Sequence, residues 1–114
     1  MLPREQAYVL DMLVAARRAV EFSAGKTREQ FLTDAMLQYA TERALQIIGE
    51  AARRVSQATR EAHPGIPWRE IVGFRNLVVH EYARVAPGRV WDLIQHDLPR
   101  LIAQLEPLVP EEER

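Results

Sequence analysis

Apolar residues recur every three or four positions along most of this 114-residue chain, and no stretch alternates apolar and polar residues as a half-buried strand does. This spacing places the apolar side chains on one face of a helix. Prolines and glycines divide the pattern into segments. The sequence therefore predicts an all-α fold: an up-and-down bundle of four to five helices in a single domain over residues 1–110, followed by an acidic tail at 111–114.

Local signals give approximate bounds to these helices. We expect them over residues 3–24, about 28–60, 68 to about 82 and from 87 onward. Gly25 is a plausible C-terminal cap of the first helix, and Thr27 and Gln30 have the spacing of a capping box that starts the second. Gly49, inside the second helix, indicates a close approach of another helix. Pro99 predicts either a kink in the last helix or the start of a fifth segment.

Composition excludes several classes of protein. Hydrophobic residues make up 47% of the chain, which excludes a disordered protein, and no apolar run approaches the roughly 20 residues that span a bilayer. No signal peptide is visible, so we expect a cytoplasmic domain with no membrane partner. The net charge of −1 disfavours binding of nucleic acid over the whole surface, and any such binding is expected at a local patch.

Metal chemistry finds little support in the sequence. Cysteine is absent, and the three histidines lie far apart without the paired spacing of zinc-binding helices. The pair His80-Glu81 resembles the start of a zinc-protease motif, but Arg84 stands where the second histidine is due. We expect no metal and no cofactor.

Polar residues of several chemical types crowd into one stretch, Arg75-Asn76-Leu77-Val78-Val79-His80-Glu81-Tyr82. Cleavage of RNA without a metal needs a base for the 2′-hydroxyl, an acid for the leaving 5′-oxygen and a cation for the phosphoryl charge. Histidine titrates near neutrality and can serve as base or acid. Arginine supplies a fixed bidentate charge. Arg75 and His80 are therefore a chemically sensible catalytic pair.

The spacing within this stretch also predicts a dimer. On a straight helix Arg75 and His80 point roughly 140° apart, whereas Arg75 and Tyr82 lie within about 20° of each other. One chain also offers a single motif histidine for two proton transfers. A twofold dimer would supply both groups, and we expect activity to need it.

Structural explanations of the same residues remain open. Arg75 could pair with Glu50 or Glu81, and His80 could cap the end of a helix. Tyr82 could pack at the end of the bundle with its hydroxyl in water. The spacing does not decide between these roles and catalysis.

The stretch resembles the Arg-x-x-x-x-His-x-Tyr signature of HepT-like toxins in the HEPN superfamily. Three further segments are similar to that family: Ile47-Ile48-Gly49-Glu50-Ala51-Ala52, Pro64-Gly65-Ile66-Pro67-Trp68, and Val90-Trp91-Asp92 through Asp97-Leu98-Pro99. The resemblance covers the chain from about Tyr8 to Leu105. It implies a HEPN-like helical domain that dimerises through helix faces.

The resemblance further implies a metal-independent endoribonuclease, the toxin of a type VII-like toxin–antitoxin module, with a composite site at the dimer cleft. Arg75 and His80 would be catalytic, with Asn76 and Glu50 in support. Tyr82 matches the tyrosine that an MntA-like nucleotidyltransferase antitoxin adenylylates, and neutralisation would follow from that modification, from antitoxin binding, or from both. The alternative is a catalytically inactive helical dimer that binds nucleotide or a nucleotidyltransferase partner.

Overall fold

The computed structural model describes residues 1–76 and 87–114, and every regular element in these ranges is helical. The helices are α1 (Pro3–Ser23), α2 (Arg28–Leu32), α3 (Ala35–Arg53), α4 (Gln57–Ala62), α5 (Trp68–Gly73), α6 (Pro87–Asp92) and α7 (Leu98–Leu105). A 3₁₀ turn, Phe74–Asn76, follows α5, and a π-helical turn, Leu93–Asp97, joins α6 to α7. The predicted all-α fold is confirmed. None of the helices in the described ranges has the length and apolar character that crossing a bilayer requires.

The core lies between α1, α3 and the C-terminal helices. The start of α1 meets the end of α3, because Glu5 accepts a hydrogen bond from the Ser56 main-chain N–H at 2.6 Å. The two long helices therefore run antiparallel, and α7 packs against α1. Removal of their apolar faces from water is the main force that holds the bundle together. The buried side chains include Val9, Met12, Leu13, Ala16, Leu45, Ile48, Ala52, Leu98, Leu101 and Leu105.

The region predicted as one helix over about 28–60 is three helices, and that prediction is wrong. The Asp34 side chain accepts a hydrogen bond from the Leu37 N–H at 3.0 Å and starts α3. The Ser56 hydroxyl accepts one from the Thr59 N–H at 3.2 Å and starts α4. Short polar side chains satisfy the unpaired N–H groups of a first turn, so they favour a new helix over continuation of the old one.

Other local predictions are confirmed. α1 ends at Ser23, and Gly25 follows it with a φ of 75°, a left-handed conformation that favours glycine. Thr27 and Gln30 form both hydrogen bonds of the capping box, at 3.1 and 2.9 Å. Pro99 lies in the first turn of α7. The new segment begins at Leu98, directly before that proline and directly after the π-helical turn.

Glu5 joins the first helix to the fourth. Its side chain is only 4% exposed, and the Thr59 hydroxyl donates to it at 2.9 Å in addition to the bond from Ser56. Hydrogen bonds from Ser56, and then from Thr59 and Leu2, lower the pKa of Glu5 to about 2, although burial opposes this shift. Hydrogen bonds to a carboxylate favour its charged form. The link fixes the end of α3 relative to α1.

Candidate active site

The polar cluster begins where α5 ends. Arg75 and Asn76 occupy the 3₁₀ turn Phe74–Asn76, and both side chains are exposed. The third helix, predicted over 68 to about 82, begins at Trp68 as expected, but its α-helical part ends at Gly73 and the 3₁₀ turn Phe74–Asn76 follows. The predictions for His80 and Tyr82 lie outside the described residues.

Buried aromatic and aliphatic side chains hold α5 in place ahead of this turn. Trp68 is 7% exposed, and its indole N–H donates to the His63 carbonyl at 3.0 Å. One turn later Ile71 is 1% exposed, and Phe74 is half-buried against the core. Because these side chains are anchored, the exposed Arg75 projects from a fixed base.

The main chain at Arg75 lies directly against α3. A Cβ atom built on Gly49 would stand 2.5 Å from the Arg75 nitrogen, 3.1 Å from the Ile71 carbonyl oxygen and 3.2 Å from the Arg75 Cα. All three neighbours are backbone atoms. The close approach predicted from Gly49 is therefore confirmed, and its partner is the turn that carries Arg75.

The Arg75 guanidinium is exposed on the turn that follows α5. Among the residues that the structure describes, ion pairs join Arg17 to Glu106 and Arg28 to Asp92, and Arg75 has no such partner. Neither does its guanidinium form a hydrogen bond with residues 1–76 or 87–114. An exposed guanidinium on an anchored turn can bind a phosphate through two parallel N–H groups.

Glu50 and Asn76, predicted as supporting residues, are both exposed. Glu50 follows Gly49 in α3, and Gly49 lies directly against the Arg75 turn. No ion pair within 4.0 Å links Glu50 to Arg75 in the described part of the structure. The structural explanation in which these two side chains simply pair is thus not supported. The supporting roles of Glu50 and Asn76 stay predictions.

Glu42 is a buried acid that is not among the predicted site residues. This carboxylate is 2% exposed and lies in α3 seven residues before Gly49, on about the same face of the helix. A buried charge is costly unless it is hydrogen-bonded or paired. The signal that could have found it is an acidic residue within the apolar stripe that includes Leu45 and Ile48.

Other polar features near the motif do not suit a polyanion or a metal. A cavity of about 260 Å³ opens beside Phe74, but its charged lining consists of Glu70, Asp97 and Arg100 and has a net negative charge. Such a lining disfavours phosphate. Across residues 1–76 and 87–114 no three His, Asp or Glu side chains converge as a metal site. Arg75 is therefore the better candidate for contact with a phosphate group.

Comparisons with known proteins agree on one family. The model of the family described as HepT-like, "Ribonuclease HepT-like", matches residues 12–108. A protein of Methanocaldococcus jannaschii that bears the name Putative RNase MJ1380 is 35% identical over 101 residues, which cover 89% of this chain and 93% of the relative. Probable ribonuclease HepT of Thermococcus cleftensis is 36% identical, with 89% and 92% covered. No solved structure gives a significant match.

The fold and the anchored, exposed arginine thus define an all-helical domain with a candidate phosphate-binding turn. The chain belongs to the HepT-like ribonuclease family.

Proposed function

We propose that this protein is a metal-independent endoribonuclease that acts as the toxin of a type VII-like toxin–antitoxin module. The observation that carries the proposal is the position of Arg75. It is the first residue of the family signature, it is exposed on an anchored turn, and it has no ion-pair partner among the described residues. The family match and the relatives named as ribonucleases support the same activity.

In the proposed mechanism, Arg75 stabilises the phosphoryl group that is attacked. As the 2′-oxygen bonds to phosphorus, negative charge builds up on the non-bridging oxygens, and a guanidinium can donate to two of them at once. His80 would accept the proton of the 2′-hydroxyl or donate one to the leaving 5′-oxygen. The products would carry a 2′,3′-cyclic phosphate and a 5′-hydroxyl.

The proposed site is shared by two subunits. One chain supplies a single motif histidine, and a twofold dimer would supply the second proton-transfer group. Apolar side chains left exposed by the described monomer are consistent with self-association: Leu32 is 39% exposed, Met36 78% and Tyr39 53%. All three lie in α2 or the first two turns of α3.

The proposed partner is an MntA-like nucleotidyltransferase antitoxin. The family resemblance suggests that this enzyme adds AMP to Tyr82, with or without a lasting toxin–antitoxin complex. Each AMP would bring a phosphodiester charge and a nucleoside close to Arg75. The AMP phosphate would then compete with the RNA phosphate for the Arg75 guanidinium and inhibit the toxin.

Cleavage of RNA in excess chelator tests the activity. We expect the wild-type protein to cleave, and we expect Arg75→Ala and His80→Ala each to lose roughly a hundredfold or more in rate. Arg69→Ala is the matched control, because Arg69 is an exposed arginine on the adjoining helix α5. Equal cleavage rates for all four proteins would contradict the assignment of Arg75 and His80 as catalytic residues. The inactive helical dimer that binds nucleotide or a nucleotidyltransferase would then be the better account.

A further inference from the structure

Gly49 lies where helix energetics favour another residue. It is in the interior of the 19-residue helix α3, where glycine costs about 1 kcal/mol relative to alanine. Its backbone does not require glycine, because the positive φ among the described glycines belongs to Gly25. Steric space is the remaining reason for a glycine here.

The space at Gly49 is occupied by main chain rather than by a side chain that could rotate away. The added Cβ would stand 2.5 Å from the Arg75 nitrogen, whereas ordinary contacts begin near 3.4 Å. A methyl group would therefore push the Arg75 turn away from α3 by roughly 1 Å, because side chains in a packed interior leave little room for other adjustments.

We propose that Gly49 is a positioning residue for Arg75: the absence of a side chain lets α3 set the location of the turn from which the guanidinium reaches the phosphate. This inference rests on the proposed function. The position of the Arg75 main chain sets the region that its guanidinium can reach, and no ion pair within the described residues holds that side chain elsewhere. Misplacement of a catalytic group by about 1 Å can cost a hundredfold in rate.

The test compares Gly49→Ala with Gly73→Ala. Gly73 is the last residue of α5, only two residues before Arg75, and a Cβ there meets nothing within 4 Å. Gly49→Ala is expected to lower kcat by roughly tenfold to a hundredfold with little change in KM, and Gly73→Ala is expected to match wild type. In an Arg75→Ala background, Gly49→Ala should cause no further loss, because it acts through that arginine. An equal loss in both backgrounds would overturn the inference.

Two NMR measurements separate this inference from the proposed function. The Arg75 amide resonance should shift in Gly49→Ala and stay in place in Gly73→Ala, whether or not the protein cleaves RNA. In the wild-type protein the Arg75 amide should have an order parameter near 0.85, the value of a rigid backbone. This second measurement needs no variant to fold. A value below about 0.6, or an unshifted amide in Gly49→Ala, would contradict a role for Gly49 in fixing the turn.

Discussion

Replacement of Phe31 by alanine should weaken the packing of α2 against the rest of the bundle. Phe31 is the one buried residue of this five-residue helix, it is 0% exposed, and its ring lies 5.4 Å from that of Trp91 in α6. Phenylalanine-to-alanine changes at buried sites cost about 3–5 kcal/mol. That is a large part of the roughly 5–15 kcal/mol that stabilises a typical domain.

Urea unfolding followed by circular dichroism measures this loss. The midpoint should fall strongly while the slope with denaturant stays the same, because the surface exposed on unfolding changes little. Glu29→Ala is the control on the same helix, since the Glu29 side chain is exposed, and it should cost about 0.5 kcal/mol or less. A cost for Phe31→Ala no larger than that for Glu29→Ala would refute this role of Phe31.

Two other predictions concern Glu5 and Tyr82. The lowered pKa of Glu5 stabilises the folded state above its ordinary value of 4.5, and this contribution is lost as the pH falls towards about 2. Glu5→Gln should therefore be less stable than wild type at neutral pH in urea unfolding, with a difference that shrinks in acid; a constant difference would contradict the shift. Incubation with the antitoxin and ATP should add AMP, by mass spectrometry, to wild type and not to Tyr82→Phe. Modification of Tyr39 or Tyr8 instead would refute the assignment of Tyr82.

Features fixed by neighbouring residues could be predicted from the sequence. The end of α1 just before Gly25 and the capping box of Thr27 and Gln30 depend on contacts within a few positions of the chain. The breaks at Asp34 and Ser56 were missed because the apolar period continues across both of them. At both positions a short polar N-cap residue, rather than the apolar periodicity, correctly indicates where a helix begins.

Features that depend on distant partners could be predicted only in part. Gly49 indicated a close approach, but the identity of its neighbour, Arg75, follows from how α3 crosses the turn after α5. The burial of Glu5 depends on donors 51 and 54 residues away. Residue type alone predicts that an acid is exposed. For Glu42 the residue type likewise predicts exposure, and only its place within the apolar stripe of α3 indicates burial.

The rate of RNA cleavage in a single turnover tests the central claim most directly, with wild type, Arg75→Ala and the Arg69→Ala control in excess chelator. We predict chelator-resistant cleavage by wild type and Arg69→Ala, products that end in a 2′,3′-cyclic phosphate, and a rate roughly a hundredfold or more lower for Arg75→Ala. A substrate with a 2′-deoxy sugar at the cleavage site should stay intact. Cleavage by Arg75→Ala at the wild-type rate, or wild-type cleavage that chelator abolishes, would contradict the assignment of Arg75 as the catalytic cation of a metal-independent ribonuclease.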